Sequence, residues 1–203
     1  MNISENKDIK IGLVIMASGL GKRFGGNKLV EDLNGKPLIR WIIDSSENLF
    51  DRRVVVTRSN DVKNICDGLN LRCILHSFPD RNDTVRLGLC ELMQDVDYCF
   101  FVPGDQPLIG RNSIMNLLEE AKANKNLIVR TGYADSVGAP IGFPNSFFDD
   151  LLKLPKGKGG NYIAQNNQNI VRIIEVHDEY ELWDIDTTED LTKINSVLKE
   201  YFD

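Results

Sequence analysis

The stretch IGLVIMASGLGKRFGGNK, residues Ile11–Lys28, decides how the rest of the sequence is interpreted. Its first part, up to Met16, is an apolar run, which is typical of a buried parallel strand when turn residues follow it. The following glycines allow tight turns that bring backbone N–H groups close to a ligand. Cations among such N–H groups suit a polyphosphate. The stretch therefore predicts a phosphate-binding loop, with these glycines and cations in it: Gly19, Gly21, Gly25, Gly26, Lys22, Arg23 and Lys28.

Two common phosphate loops do not fit this stretch. A P-loop requires Gly-Lys-Ser/Thr, whereas Gly26 is followed by Asn27 and Lys28. The dinucleotide fingerprint requires a third glycine where Phe24 stands. On the glycines alone, an ordinary strand-to-helix turn with solvated cations stays an alternative.

The same stretch resembles the opening of the MobA-like nucleotidyltransferases, which reads Leu-Ala-(Ala/Gly)-Gly-x-(Gly/Ser)-x-Arg-(Met/Phe)-Gly-x-x-Lys. The match runs from Met16 to Lys28, and the family's Gly-Lys-Pro-Leu turn follows at Gly35–Leu38. The resemblance implies that Arg23 neutralises the β and γ phosphates of a nucleoside triphosphate and that Lys28 neutralises the α phosphate, both as catalytic residues. It implies a nucleotide-binding loop made of Ala17, Ser18, Gly19, Leu20, Gly21, Arg23 and Lys28.

A second candidate loop precedes a predicted helix that Thr84 or Asp83 would cap. Helix capping alone is one explanation of these residues. The order Arg-x-Asp-Thr-Val also resembles the Arg-x-x-Ser-Val step that contacts the nucleotide in related cytidylyltransferases. This resemblance implies that Arg81, Asp83 and Thr84 bind the nucleotide.

The apolar run YCFFV, residues 98–102, predicts a central strand, and Asp105 follows it. An aspartate just past a central strand lies at the carboxyl edge of the sheet, where ligands bind. Mg²⁺ is usually held by one or two carboxylates together with substrate phosphates. Turn chemistry alone is the alternative for this Gly-Asp-x-Pro segment. The family's Gly-Asp-Gln-Pro-Leu matches Gly104–Leu108, which implies that Gly104 and Asp105 lie at the nucleotide and that Asp105 binds metal.

Near the end of the sequence, Thr187 or Thr188 predicts the cap of a last helix. The family's Asp-x-Asp-Thr pattern matches Asp184–Thr187, and the resemblance implies that Asp186 is a second ligand of Mg²⁺ or Mn²⁺. On the acceptor side, residues 156–161 lie where many relatives have Gly-Asp-x-Gly-Ala-Arg. The aspartate and the arginine are replaced here, and we expect Lys156 and Lys158 to meet an anionic acceptor.

Composition limits the classes of function. A chain of 203 residues with 42% hydrophobic residues favours one domain, residues 1–203, and we expect residues 1–8 to be flexible. The net charge of −6 disfavours nucleic acid as a partner. The polar N-terminus and the lack of a long apolar run predict a cytoplasmic protein with no membrane association. Four irregularly spaced cysteines predict reduced thiols, and two histidines make a histidine metal cluster improbable.

Strand-like and helix-like segments alternate along the chain and predict an α/β fold. The pattern favours a three-layer sandwich with a mostly parallel, doubly wound, Rossmann-like sheet, and the resemblance makes it the nucleotide-diphospho-sugar transferase type. Predicted strands include 53–57, 71–75, 127–131 and 170–176, and predicted helices include 61–69 and 111–124.

The base is predicted from Ser18, because a side chain there takes up room that a purine would need. The family's guanylyltransferases usually have glycine at this position, and its cytidylyltransferases usually have alanine. The resemblance is therefore to the molybdenum cofactor cytidylyltransferases, which transfer CMP from CTP to the terminal phosphate of molybdopterin and release pyrophosphate. It implies CTP, molybdopterin and a recipient molybdoenzyme as partners. Guanylyl transfer, cytidylyl transfer to methylerythritol phosphate and non-catalytic cofactor delivery are the alternatives.

Overall fold

The computed structural model describes residues 9–19, 21 and 23–202, with the side chains of residues 200–202 left aside. Two strands form a separate hairpin, and the others form a seven-stranded sheet. The strands are, in chain order, β1 (Ile11–Ala17), β2 (Asp32–Leu33), β3 (Lys36–Pro37), β4 (Arg52–Thr57), β5 (Cys73–Leu75), β6 (Tyr98–Pro103), β7 (Ile128–Tyr133), β8 (Ser136–Pro144) and β9 (Val171–Glu175).

The large sheet has the strand order β5-β4-β1-β6-β8-β7-β9, and β2 pairs with β3. Neighbouring strands run parallel except at β8, which is antiparallel to both β6 and β7. The α-helices of the described residues are α1 (Leu38–Ser45), α2 (Asn60–Gly68), α3 (Arg81–Leu92), α4 (Arg111–Ala123), α5 (Phe148–Leu152), α6 (Gly160–Asn166) and α7 (Thr188–Phe202).

Alternate residues of β1 face opposite layers of the core, as the period of a strand requires. Ile11, Leu13 and Ile15 pack in the cluster that contains apolar residues of α1, α2, α4 and α7. Val14 packs in the second cluster, with apolar residues of α3, α5 and α6. Helices therefore cover both faces of a mostly parallel sheet, and the predicted three-layer fold is confirmed.

One prediction about the start of a helix was wrong. Residues 81–83 were expected in a loop, but α3 begins at Arg81, and Asp80 precedes it with an extended backbone. Thr84, one of the two expected caps, is buried against the core instead. A sequence rich in hydroxyl and acidic residues offers several plausible cap positions, so the sequence pattern alone does not fix the first residue of the helix.

Residues 138–144, for which no strand was predicted, form most of β8. Gly142 is required because a Cβ there would lie 2.5 Å from the rings of Tyr98 and Phe100. Pro140 is tolerated because the pairing register shifts between Arg130 and Gly132, opposite this segment, so that the ladder is interrupted there.

The described helices include none that is both long enough and apolar enough to cross a bilayer. The four cysteines are free thiols, three of them buried.

Candidate active site

The glycine-rich loop after β1 closes on itself through its own backbone. Phe24 N and Gly25 N both donate to Gly21 O, at 2.9 and 3.0 Å. Gly21 has φ +56°, and a Cβ there would lie 2.1 Å from Gly26 O. A side chain at position 21 is therefore excluded both by the backbone conformation and by the close approach of the chain to itself. Leu20 and Lys22, which were assigned to this loop, lie outside the described residues.

Lys28 follows the loop and is buried, with its ammonium held by three oxygens. Nζ lies 2.6 Å from Asp105 Oδ2, 2.9 Å from Asp186 Oδ1 and 2.5 Å from Ile185 O. An ammonium has three N–H donors, so these contacts occupy all of them. The structure thus brings the predicted lysine and both predicted metal ligands to one point.

The charges at this point are strongly coupled. Burial on its own would lower the pKa of Lys28, but Asp105 and Asp186 outweigh that effect and raise the pKa above its ordinary value. Partial burial of the Asp184 carboxyl raises its pKa to about 6, and the negative charges of Asp105 and Asp186 act in the same direction. Much of the residue is nevertheless open to solvent. Three neighbouring carboxyl groups give the site a negative potential that favours cations.

Backbone contacts hold the two carboxylate segments together. Ile185 N donates to Asp105 O at 3.0 Å, which joins the segment after β6 to the segment before α7. Asp190 Oδ2 accepts from the backbone N–H groups of Asp186 and Thr187, and Asp190 N donates to Thr187 Oγ1. This is the reciprocal helix cap predicted for Thr187, and it fixes the backbone at Asp186.

Arg23 pairs with Asp186 from the solvent side. Its Nη2 lies 2.7 Å from Asp186 Oδ2, while 75% of its side chain is exposed. An exposed guanidinium on a long side chain moves at little cost, because exposed ion pairs contribute about 0–1 kcal/mol. The side chain is therefore free to exchange Asp186 for a phosphate.

A cavity of about 350 Å³ lies beside this cluster, at the carboxyl ends of β1, β4 and β6. Ser18 stands on its wall with its hydroxyl fixed, because Oγ donates to Val56 O at 3.1 Å and lies 2.7 Å from His76 Nε2. The cavity is lined by Met16, Ser18, Gly19, Arg58, Pro79, Asp80, Arg81, Thr84, Pro103 and Asp105.

The contacts of Ser18 determine the protonation of His76. A carbonyl oxygen only accepts, so the Ser18 hydroxyl proton goes to Val56 O and His76 Nε2 must donate to Oγ. Nδ1 is buried and has no partner among the described residues, which suits the bare nitrogen of a neutral imidazole. Burial, followed by the charge of Arg58, lowers the pKa of His76 and keeps the ring neutral.

A larger cavity of about 680 Å³ adjoins the first one. Met16, Arg81 and Pro103 line both, so that Arg81 stands where the two cavities meet. The larger cavity lies between α6 and the strands β6, β7, β8 and β9. Its further lining residues are Phe101, Arg130, Val137, Gly138, Ala139, Ile141, Gly159, Gly160, Asn161, Ala164, Gln165, Gln168, Val171 and Ile173.

The other predicted residues divide into those beside the cavities and those away from them. Ala17 is buried and accepts from Thr57 Oγ1, and Gly104 N donates to Met16 O, so both support the cavity wall with backbone groups. Asp83 pairs with Arg86 at 3.3 Å and does not line the smaller cavity, whereas Asp80 does.

The two lysines expected at the acceptor lie outside the lining of the larger cavity. Lys156 is 82% exposed, with its ammonium 3.7 Å from Asp80, and the Lys158 ammonium lies 5.9 Å from the Tyr162 ring centroid.

Sequence reasoning missed several residues of the site. Arg58 was detectable, because it directly follows β4 and so stands at the same sheet edge as Ser18 and Asp105. His76 follows β5 in the same way. The carbonyl of Ile185 and the role of Arg130 as part of a cavity wall depend on tertiary packing and leave no local signal.

The metal-binding capacity of the site rests on two carboxylates. Among the described residues there is no group of three or more His, Cys, Asp or Glu side chains that would hold a metal ion without further ligands. Asp105 and Asp186 nevertheless converge on one ammonium, which shows that both reach a single small cation. Two carboxylates completed by substrate phosphates match the preference of Mg²⁺.

Comparison with known proteins places this chain among nucleotidyltransferases. The chain is 28% identical to the probable molybdenum cofactor guanylyltransferase of Thermococcus gammatolerans, over 89% of this chain and 97% of that protein. It is also 28% identical to the bifunctional protein GlmU of Caldicellulosiruptor saccharolyticus, over 85% of this chain but only 35% of that protein. This chain therefore spans about a third of the GlmU relative's length.

The fold has close counterparts among solved structures. Rv0371c of Mycobacterium tuberculosis H37Rv superposes with a TM-score of 0.80 at 20% identity, over 92% of this chain and 98% of that one. Its manganese complex superposes with a TM-score of 0.73. The family described as the MobA-like NTP transferase domain matches residues 13–171. The chain belongs to this family of nucleotidyltransferases.

Proposed function

We propose that this nucleotidyltransferase transfers CMP from CTP to the terminal phosphate of molybdopterin, with Mg²⁺ or Mn²⁺ and with release of pyrophosphate. The observation that carries the proposal is the convergence of Lys28, Asp105 and Asp186 beside two connected cavities. One cavity suits the nucleotide, because the glycine-rich loop and Ser18 border it. The larger cavity suits the acceptor, because it meets the nucleotide cavity at Met16, Arg81 and Pro103.

In the reaction, an oxygen of the acceptor phosphate attacks the α-phosphorus of the triphosphate. The bond from this phosphorus to the oxygen that bridges the α and β phosphates breaks, and pyrophosphate leaves. A phosphate monoester is already a nucleophile near neutral pH, so no side chain has to remove a proton. The protein therefore contributes chiefly position and charge neutralisation.

Each charged residue has a part in this scheme. Lys28 holds Asp105 and Asp186 at a common point and adds positive charge close to the α phosphate. Arg23 leaves Asp186 for the β and γ phosphates, which its exposure allows. Asp105 and Asp186 would hold the metal, which when bound supplies charge neutralisation on the triphosphate oxygens. Arg81, where the cavities meet, would contact the nucleotide, as the resemblance implies, and also orient the attacking phosphate.

The preference for CTP rests on Ser18. Its hydroxyl is fixed by Val56 O and His76, so the side chain cannot rotate out of the cavity to admit a larger base. GTP is the second candidate, because a relative that aligns over most of its length is named as a guanylyltransferase.

The test is pyrophosphate release by the purified protein with Mg²⁺, each of the four nucleoside triphosphates, and either molybdopterin or methylerythritol phosphate. We expect release with CTP and molybdopterin. Release with GTP and molybdopterin would overturn the choice of base, and release with methylerythritol phosphate would overturn the choice of acceptor. Tight nucleotide binding without release in any combination would favour the non-catalytic delivery function.

A further inference from the structure

Arg130 lines the larger cavity, and its side chain is unusual in being both charged and buried. It is 7% exposed and stands on β7. Its Nε and Nη2 donate to Gly138 O at 3.3 and 2.9 Å, and its Nη1 donates to Asn161 Oδ1 at 2.8 Å. These contacts occupy three of the five N–H groups of a guanidinium, so two N–H groups remain for a ligand.

The partners of Arg130 are both neutral. No carboxylate of the described residues lies within 4.0 Å of its guanidinium, and burial lowers its pKa without an acidic neighbour to oppose the effect. Arg172, on the adjacent strand β9, shows the ordinary arrangement, since it is exposed and lies 3.5 Å from Glu120. A buried cation without a counter-charge is costly, and proteins normally pair it.

The rest of the cavity is chemically suited to the same kind of ligand. Its described lining contains two arginines, Arg81 and Arg130, and no aspartate or glutamate, although the chain as a whole has a net charge of −6. The other polar side chains on the wall are the amides of Asn161, Gln165 and Gln168. The cavity therefore attracts anions and offers hydrogen bonds to a polar body.

We propose that Arg130 binds an anionic group of the second substrate, in addition to the phosphate that reacts near Asp105. This inference rests on the proposed function, since it assigns the larger cavity to the acceptor. Arg81 lines both cavities, whereas Arg130 lines only the larger one, so the two guanidinium groups mark two separate positions for anions. The acceptor class is thus a phosphate monoester that carries a further negatively charged group.

Arg130 consequently acts in specificity. An acceptor without the second anionic group would shield the Arg130 guanidinium from solvent and give it no anionic partner. A site built for a charged partner therefore rejects analogues that lack that partner. Arg130 does not line the smaller cavity, where the triphosphate would react, so it should affect the binding of the acceptor more than the chemical step.

The first test observes Arg130 directly. The arginine Nε–H signals are recorded by NMR while inorganic phosphate is added, with a non-hydrolysable α,β-methylene nucleoside triphosphate and Mg²⁺ filling the nucleotide site. The signal of Arg130 is assigned as the one that disappears in Arg130→Lys. We expect it to shift on addition of phosphate, whereas the signal of Arg172 stays in place. An Arg130 signal that does not respond would overturn the proposal.

A pair of variants on α6 keeps the test independent of the folding of Arg130 variants. Gln165→Glu adds a carboxylate to the exposed rim of the cavity, and Asn166→Asp adds one next to it, outside the lining. We expect the first variant to weaken phosphate binding severalfold and the second to leave it unchanged. Equal binding by both would contradict the inference.

Steady-state kinetics separates this inference from the proposed function. With molybdopterin, Arg130→Gln should raise the KM for the acceptor while kcat and the KM for CTP stay close to those of the wild type. Unchanged acceptor KM would overturn the role of Arg130 and leave the proposed function standing. If the wild type does not use molybdopterin but phosphate still shifts the Arg130 signal, the proposed acceptor fails and the anion site stands.

Discussion

Lys28 Nζ lies 2.6 Å from Asp105 Oδ2, and the same ammonium lies 2.9 Å from Asp186 Oδ1. The ammonium thus bridges the two carboxylates and offsets the repulsion between their negative charges. The consequences of removing the lysine, either carboxylate or the loop geometry can be measured separately.

Replacing Lys28 by Met should lower turnover by roughly 10²–10³-fold, as removal of a preorganised charged donor typically does. The variant also leaves Asp105 and Asp186 without their shared cation, so Mn²⁺ should raise its Tm by more than it raises that of the wild type. Lys63→Met, on the surface beside Asp67, is the matched control and should change neither quantity. Equal metal-induced shifts in Lys28→Met and the wild type would contradict this account.

Replacing Asp105 by Ala should abolish the dependence of activity on Mg²⁺ concentration, together with most of the activity, because the proposed leading metal ligand is lost. Asp186→Asn should be affected less, since an amide oxygen still coordinates weakly and 37% of the Asp186 side chain is open to solvent. Initial rates over a Mg²⁺ titration provide the measurement, with Asp67→Asn as the surface control. Turnover of Asp105→Ala at the wild-type level would remove the metal site from the proposal.

Replacing Gly21 by Ala should weaken triphosphate binding, because the new Cβ would meet Gly26 O and force the loop to open. Gly26→Ala is the matched control, since a Cβ there has no neighbour within 4 Å. Isothermal titration with CTP and Mg²⁺ compares the two variants. Similar affinities in both would show that the described turn at Gly21 is dispensable for binding.

Replacing Ser18 by Gly should let the nucleotide cavity accept a larger base. We expect the ratio of kcat/KM for CTP to that for GTP to fall, because the volume of the side chain and its contacts to Val56 O and His76 are lost together. Ser18→Ala keeps most of the volume and should retain the preference for CTP. A preference unchanged in both variants would show that another residue selects the base.

The histidines should give opposite contributions to stability as the pH falls from about 7.5 to about 6. The folded protein lowers the pKa of His76, so the unfolded chain binds more protons there and stability decreases on acidification. Asp178 raises the pKa of His177, so that residue stabilises the folded state on acidification.

Urea unfolding at both pH values checks this pair. His76→Asn should flatten the loss of stability on acidification, and His177→Gln should steepen it. The same pH dependence in both variants would refute the assigned protonation of His76.

The fold and the centre of the site were predictable because their signals are local. β1 is a continuous apolar run, and Asp105 lies two residues past the end of β6, so the position of both at the carboxyl edge of the sheet follows from strand polarity alone. β8 was not predictable, because Gly142 looks like a loop residue in the sequence. In the structure, its lack of a side chain leaves room for the rings of Tyr98 and Phe100. A local sequence pattern does not show which side chains of a neighbouring strand will pack against a given residue.

The same limit applies to charges. The sequence suggested that Lys28 and Asp105 act on a common ligand, but it did not predict that they bind each other. It singled out Lys156 and Lys158 as cations of the acceptor side because residues 156–161 lie where many relatives have Gly-Asp-x-Gly-Ala-Arg. The cations on the wall of the larger cavity are instead Arg81 and Arg130. The burial of Arg130 and its neutral partners arise from the packing of β7 against β8 and α6.

Two of the three oxygens that hold the Lys28 ammonium, those of Ile185 and Asp186, belong to a late part of the chain. A nascent polypeptide that has emerged from the ribosome up to α6 already contains the glycine-rich turn and Asp105. It still lacks Ile185 and Asp186, which complete the contacts of the Lys28 ammonium. Prematurely terminated translation products of that length would therefore carry the recognisable signature of the family and still lack two of the three oxygens that hold the Lys28 ammonium.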